Sequence, residues 1–336
     1  MREFKVVNKI FVRSSNETFK MLRRYTISLS ILILSLLIFH LYKGQYPYMI
    51  NLVKTIVITS VISIVFQYLI NLNRHKSLIH LIFKEDNILA SAFIIALFTY
   101  KEELMVIIVA TVITEVSRLI NRDINISSCL YGILFVIIYQ QFYNGIETPL
   151  INFSNLQYYA TYQEIVETYG SIKSYLLGTN LYYLSPILSI ISFAYLFYKK
   201  SIKYSLVVSY LTTFIIGMLF YGLINGMNIW FLIFQIVTGN IIFLAVFALS
   251  DYKLTPVTQE GQTIYGIIIG IFTIILRFVI PELSVVISLI LGPILLTRYI
   301  DKISYKLKYH QRFYQVLYML CIGLLVLTIL IISFIY

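Results

Sequence analysis

The stretch "SDYKLTPVTQEGQTIYG" (residues 250–266) is a compact polar segment between two strongly apolar runs. The run before it reads "IWFLIFQIVTGNIIFLAVFAL" (229–249), and the run after it begins "IIIGIFTIILR" (267–277). An apolar run of about 20 residues is long enough to cross a hydrocarbon layer about 30 Å thick. The polar segment is therefore predicted to be a turn between two membrane-spanning helices, and Pro256 and Gly261 favour a turn there.

The composition extends this interpretation to the whole chain. Its 336 residues are 59% hydrophobic and only 12% charged, whereas a soluble domain is about half apolar and about a quarter charged. The mean hydropathy is +0.85. Apolar runs recur along the chain, so we expect an all-α polytopic membrane protein with about 10–11 transmembrane helices and no sizeable soluble domain.

The distribution of Lys and Arg predicts the orientation in the membrane. The chain carries a net charge of +11, and its cations concentrate in the N-terminal segment and in every second loop. Because such loops face the cytoplasm, we expect a cytoplasmic N-terminus, a cytoplasmic 250–261 loop and an extracytoplasmic 144–179 loop. The bacterial cytoplasmic membrane is the expected location. The same distribution explains the positive charge without a nucleic-acid partner.

The long 144–179 loop divides the predicted spans into two sets of five. Spans are predicted at about 25–43, 49–72, 87–100, 104–120 and 126–143 before the loop, and at about 180–198, 204–224, 228–249, 262–280 and 283–300 after it, with one more at 315–335. Two halves with an odd number of spans would be inverted relative to each other. The predicted divisions are therefore a 1–24 segment, five-helix repeats at 25–143 and 180–303, the loop, and a 304–336 segment with an extra helix.

Few residues in the predicted spans point to chemistry. Glu115 lies in a span, where an acid is functional by default; the alternative is an i,i+3 ion pair with Arg118 whose charge snorkels to the interface. Arg277, near the outer end of its span, has a similar alternative, in which its charge snorkels to the interface. Gly266 and Gly270 have the spacing that lets helix backbones approach closely. Neither Cys nor His residues are spaced as metal ligands, so no metal site is predicted.

Three segments carry a resemblance to a known family. The segment "FALSDYKLTPVTQEGQTIYGIIIGIFTIILR" (247–277) is similar to the NqrB/RnfD family, as are "EDNILASAFIIALFTY" (85–100) and "LLGTNLYYLSPILSIISFAYLFYKK" (176–200). The matching positions are Asp86, Gly178, Asp251, Pro256, Thr258, Gly261, Ile264, Tyr265, Gly266, Gly270 and Arg277. The chain is identified as a divergent member of this family.

The resemblance implies an electron-transfer subunit of a translocase-type oxidoreductase complex. Electrons would pass from a cytoplasmic or quinone donor, through flavin in the membrane, to an extracytoplasmic flavoprotein, with coupling to sodium or proton movement. The implied partners are other membrane subunits, an extracytoplasmic FMN-binding protein, quinone and membrane lipids.

The resemblance also implies cofactor residues. The family attaches FMN to a Thr in a motif resembling D-x-x-[S/T]-G-A-T, and "NLQYYAT" (155–161) aligns with it. Thr161 is thus the first candidate for covalent FMN, and Thr148 in "GIETPL" is the second. Riboflavin is a further candidate cofactor. Residues expected to contact flavin are Asn125 in "RDINIS", Asp86, Asp251 and Thr258. No catalytic residue is predicted.

Two other functions fit so apolar a chain. One is an integral glycan polymerase or exporter, which would need cationic or acid–base side chains in its outer loop. The 144–179 loop has Glu147, Glu164, Glu167 and Lys173 but no His or Arg, which disfavours that function. The other is a membrane scaffold that has lost its flavin and only docks partners.

Overall fold

The structure, a computed structural model, describes residues 15–71, 88–120, 126–143, 176, 184–227, 229–251, 255–280 and 283–307. In the first half of the chain these residues form α1 (Ser15–Tyr42), α2 (Tyr46–Asn71), α3 (Ile88–Thr99), α4 (Leu104–Ile120), a 3-10 turn (Ile126–Ser128) and α5 (Cys129–Tyr143). In the second half they form α6 (Pro186–Tyr198), α7 (Tyr204–Ile224), α8 (Ile229–Val237), α9 (Ile241–Leu249), α10 (Gln259–Val279) and α11 (Ser284–Leu307). The described part of the chain contains no strand.

The helices have the length and composition of a polytopic membrane protein. Four of those described are long and apolar enough to cross a membrane, and α8 with α9 makes a fifth if the pair is one bent span. Apolar stretches of 10–17 residues occur in α3, α5, α6 and α11. The prediction of an all-α polytopic membrane protein is confirmed. The predicted extra helix at 315–335 lies outside the described residues.

The first helix begins about ten residues before its apolar run does. Met21, Leu22 and Tyr25 are buried, so the part of α1 at residues 21–25, at the edge of the predicted span, packs against the protein. Tyr25 Oη is hydrogen-bonded to Ser250 Oγ, 2.6 Å away, which ties α1 to the end of α9. Hydropathy marks the lipid-spanning part of a helix but does not mark turns that continue it against other protein elements.

The span predicted at 228–249 is wrong as a single helix. α8 ends at Val237, α9 begins at Ile241, and the two are bent by 49° relative to each other. Gly239 and Asn240 join them with φ angles of 75° and 56°. Glycine enters this left-handed region without penalty, and asparagine is one of the few other residues that visit it routinely. The last five residues of α9, Ala245–Leu249, are π-helical.

The turns assigned to the cytoplasm gather at one end of the bundle. Arg24 Nη1 donates to the Lys199 carbonyl at 2.6 Å, and Lys203 Nζ donates to Thr255 Oγ1 at 2.6 Å. The turns after α1 and α3 meet at the other end, near Tyr100. This grouping is what the predicted topology requires, and the side of the membrane on which each end lies stays a prediction.

The two halves of the chain share a pattern of helix packing. In the first half α2 packs against α4, α4 against α5, and α1 against α3. In the second half α7 packs against α10, α10 against α11, and α6 against α9. Counted in order, with α8 and α9 as one span, these are corresponding pairs. The inverted five-plus-five repeat is still a prediction, and the shared packing pattern favours it.

Helices α7 and α10 approach each other closely at the predicted Gly266–Gly270 pair. A Cβ added at Gly266 would lie 2.7 Å from the Leu206 carbonyl oxygen, and one at Gly270 would lie 2.9 Å from Thr213 Cβ. Real Cβ contacts are not that short, so only glycine permits this spacing. The predicted role of the two glycines in helix packing is confirmed.

At the end of the bundle opposite Thr255, Lys101 lies in the turn between α3 and α4. Its Nζ sits 4.7 Å from the ring centroid of Tyr100 and 5.7 Å from that of Tyr48. Burial lowers the pKa of Lys101 to about 7, whereas the pKa of lysine in an unfolded chain is about 10.4.

The difference between the pKa of Lys101 in the folded chain and in the unfolded chain predicts that stability depends on pH. Between pH 7 and about 10.4 the unfolded chain binds more protons at Lys101 than the folded chain, so stability should rise with pH in that window. Thermal unfolding of the purified protein across the window should show this slope, and Lys101→Met should flatten it. Lys43→Met is the matched control, because the exposed Lys43 lies in the neighbouring turn. An unchanged slope in Lys101→Met would contradict the prediction.

Candidate functional site

A buried ion pair lies inside the first half of the bundle. Arg118 Nη1 is 3.1 Å from Glu115 Oε2 on the same helix, α4. Their side chains are 5% and 0% exposed. The predicted i,i+3 pairing is therefore confirmed. The predicted snorkelling is wrong, because the surrounding helices enclose both groups before they can reach the surface.

Neighbouring helices supply hydrogen bonds to the pair. Gln67 Nε2 on α2 donates to Glu115 Oε2 at 2.9 Å. Arg118 Nη2 donates to Ser91 Oγ on α3 and, at 3.4 Å, to Ser128 Oγ in the 3-10 turn. A buried ion pair is tolerable when its members are hydrogen-bonded as well as paired. We call Gln67, Ser91, Glu115, Arg118 and Ser128 the Arg118 network; it joins four elements of the first half.

Asp251 links the two halves of the chain. It is 1% exposed, and its Oδ2 accepts hydrogen bonds from the Ser127 backbone N–H at 3.1 Å and from Ser127 Oγ at 3.0 Å. The bonds connect the end of α9 to the turn before α5. Asp251 therefore has a structural role, and its predicted contact with flavin stays a prediction.

We expect Asp251→Ala to destabilise the protein by about 1.5–3 kcal/mol, because it removes a charged acceptor and leaves the Ser127 donors unsatisfied. The measurement is thermal unfolding in detergent, in which the fraction of protein that stays monodisperse is recorded as a function of temperature. Asp251→Asn is the matched control, since its amide oxygen can still accept from Ser127. If Asp251→Ala were as stable as the wild type, the hydrogen bonds between Asp251 and Ser127 would not contribute to stability, and the prediction would be wrong.

The polar segment at 250–266 is held by its own hydrogen bonds. Thr258 Oγ1 accepts from the Gly261 N–H at 3.0 Å and so caps the first turn of α10, a common role of threonine at helix starts. Lys203 Nζ donates to the carbonyls of Thr255 and Pro256 at 3.1 and 3.2 Å. The described residues 255–261 of this segment thus form a hydrogen-bonded turn, as predicted, and Thr258 serves as a helix cap within it.

A second buried charge lies at the break between α8 and α9. Arg277 on α10 is 1% exposed. Its Nε donates to Gln235 Oε1 at 3.1 Å, and its Nη2 donates to Thr238 Oγ1 at 2.9 Å. A Cβ at Gly239 would collide with the guanidinium, whose carbon would be only 3.1 Å away. The predicted snorkelling of Arg277 is wrong, because the guanidinium turns inward onto the break.

Electrostatics accounts for this position. The last carbonyls of α8 carry partial negative charge, and a cation near a helix C-terminus is stabilising. On the other side of the break, Asn240 Oδ1 accepts from the Leu184 N–H at 2.7 Å. A broken span with a buried ionisable side chain is typical of ligand and ion sites in membrane proteins. The signal in the sequence was "TGN" (238–240) within an apolar run, which our sequence interpretation did not use.

The structure does not bring all the predicted site residues together. Asp251 lies just beyond the last residue of α9, whereas the Arg277 guanidinium lies at the break between α8 and α9, before the first residue of α9. The nine residues of α9, which span about 14 Å, lie between the two groups. Thr161, Thr148, Asn125 and Asp86 lie outside the described residues. No group of three His, Cys, Asp or Glu among the described residues could hold a metal.

A groove beside α4 lacks the polar lining that a flavin needs. At about 380 Å³ the groove has the volume of a small-molecule site, but its lining is apolar except for Ser117 and the Tyr131 hydroxyl. Flavin needs several polar partners on its ring and phosphate. Asp251 and Thr258 already make the hydrogen bonds that hold the turns.

These features define the chain as a polytopic helical membrane protein with a broken span and buried charges at membrane depth. Residues 144–310, about half of the chain, match the model of the NQR2, RnfD, RnfE family, which confirms the predicted family resemblance over that half. Members are membrane subunits of redox or ion-translocating complexes, so other membrane subunits are the expected partners. The match covers the long loop and α6–α11. A comparison with curated proteins finds no match.

Proposed function

We propose that the chain mediates flavin-dependent electron transfer across the bacterial cytoplasmic membrane as one subunit of an ion-coupled redox complex. The donor is cytoplasmic or a quinone, and the acceptor is an extracytoplasmic flavoprotein. The N-terminus lies in the cytoplasm in this proposal. The observation that carries it is the family match over residues 144–310, which include both Thr161 and the Arg277 break.

The charge at the break supports this function. Arg277 fixes a cation in a region of low dielectric constant, where the energy of a charge–charge interaction is several times larger than in water. A cation there favours an anionic or newly reduced group nearby over a neutral one. Gln235 and Thr238 hold the guanidinium in place, so it need not reorganise when charge arrives.

The cofactor in this proposal is FMN, bound as a phosphoester to Thr161, with Thr148 as the alternative attachment site and riboflavin as a further candidate flavin. Flavin supplies the electron-carrying chemistry when bound, and the protein contributes binding, orientation and electrostatics. The chain's own part is therefore to hold its helices and buried charges in a fixed arrangement across the membrane.

The test is in-gel flavin fluorescence with peptide mass spectrometry, using the full chain co-expressed with its partner transferase. We expect a fluorescent band in the wild type that disappears in Thr161→Ala and persists in Thr148→Ala. Fluorescence that survives Thr161→Ala but is lost in Thr148→Ala moves the attachment to Thr148. A wild-type chain with neither covalent nor bound flavin would overturn the proposal and favour the scaffold.

A further inference from the structure

One face of α2 is left uncovered by the helices that the structure describes. Only 22% of the apolar window of α2 is buried, against 39–61% for the other long spans described. The exposed side chains of this face are Tyr46, Ile50, Val53, Val57, Val61, Val65 and Tyr68. At 3.6 residues per turn they lie within a sector of about 120°. We call these seven residues, with Lys54, the α2 face.

Lys54 places a positive charge on this apolar face. It is exposed, and it makes no hydrogen bond or ion pair with the described residues. It lies about 12 Å along the helix from Tyr46, within the predicted lipid-spanning part. Because a charged side chain that faces lipid costs free energy unless it snorkels to the interface or is paired, a transmembrane helix that covers the α2 face would stabilise Lys54 by offering it a negative partner.

The shape of the α2 face fits another helix. Val53, Val57, Val61 and Val65 recur at every fourth residue and are 47–55% exposed. Rows of side chains at this spacing form the ridges that pack into the grooves of a neighbouring helix. Valine has few side-chain rotamers in a helix, so ordering this ridge costs little conformational entropy.

We propose that the α2 face binds a transmembrane helix of another subunit that carries an Asp or Glu facing Lys54. Charge argues against two other occupants. A second copy of the chain docked through the same face would bring Lys54 against Lys54. The chain's own apolar segment 315–335 contains no Asp or Glu. The match to a family of complex-forming membrane subunits supplies candidate partners.

Photocrosslinking in membranes of the native host tests the proposal. A photoreactive side chain at Val57 should crosslink to one transmembrane peptide with an Asp or Glu, identified by mass spectrometry. The matched control is Leu34 on α1, which is also apolar and is 57% exposed; it should give lipid adducts only. Lipid adducts alone at Val57, or a crosslink to a second copy of the chain, would overturn the proposal.

A charge swap then tests the pairing itself. Lys54→Glu should reduce the crosslink yield at Val57 about tenfold, in line with a pair worth about 1.4 kcal/mol. Replacing the partner's acid by Lys should restore it. Lys54→Glu and Lys54→Met should both keep wild-type thermal stability in detergent, because the exposed Lys54 makes no hydrogen bond or ion pair with the described residues; this shows that the variants fold. An unchanged yield in Lys54→Glu would refute the pairing. None of these readouts uses flavin, so they are independent of the proposed electron transfer.

Discussion

Replacing Arg118 by methionine should lower the free energy of unfolding by about 3–5 kcal/mol, because it leaves the buried Glu115 carboxylate without its counter-ion. The substitution also removes the donor that satisfies Ser91 and Ser128. Gln67 alone remains as a partner of Glu115 among the contacts of the Arg118 network. The measurement is thermal and denaturant unfolding of the purified protein in mild detergent.

The double variant Glu115→Gln/Arg118→Met provides the control. It removes both charges and keeps most of the side-chain volume, and replacing a buried ion pair by neutral groups is often close to neutral in stability. The double variant should therefore regain most of the stability that Arg118→Met loses. If both variants were equally unstable, the loss would come from packing and not from the unpaired charge.

Replacing Gly239 by alanine should cost about 2–5 kcal/mol. One part is the left-handed backbone at φ 75°, which costs an L-residue about 1–2 kcal/mol. The other part is the collision of the new methyl group with the Arg277 guanidinium, and overpacking a dense interior costs about 1–3 kcal/mol. We expect the break between α8 and α9 to be distorted and Arg277 to lose its bonds to Gln235 and Thr238.

Gly226 offers a matched control for this prediction. It has a similar φ angle of 64°, but a Cβ there would meet nothing within 4 Å. Gly226→Ala should therefore show the backbone part alone, and the difference in unfolding free energy between the two variants isolates the contact with Arg277. Equal losses in the two variants would show that the guanidinium moves aside freely and does not pin the break.

Features that depend on one short segment could be predicted from the sequence. Insertion into lipid depends on the length and apolarity of each segment, because its backbone must satisfy its own hydrogen bonds there. The spans, the turn at Thr255–Pro256 and the Glu115–Arg118 pair are of this kind, since the residues involved are close in sequence. The family could also be recognised from 247–277, where the motif residues are contiguous.

The break at Gly239–Asn240 was not predicted, although its residues were visible. Hydropathy averaged over about 20 residues is dominated by the apolar neighbours, so three residues of turn character disappear within it. The break is held by Arg277, 38 positions after Gly239, which donates to Thr238 Oγ1 beside the end of α8, and by Asn240, which accepts from the backbone before α6. A window along the chain contains neither contact.

The sequence by itself determined the class of protein, the approximate positions of its spans and its family, because these follow from local apolarity and contiguous motifs. Tertiary structure decided where the charges of Arg118 and Arg277 lie and what Asp251 does. Asp251 bonds to Ser127 across 124 residues. Whether a charged group in a span reaches the interface or turns inward depends on which helices surround it. That choice is made by packing, since an enclosed charge is stable only where other helices supply its hydrogen-bond partners.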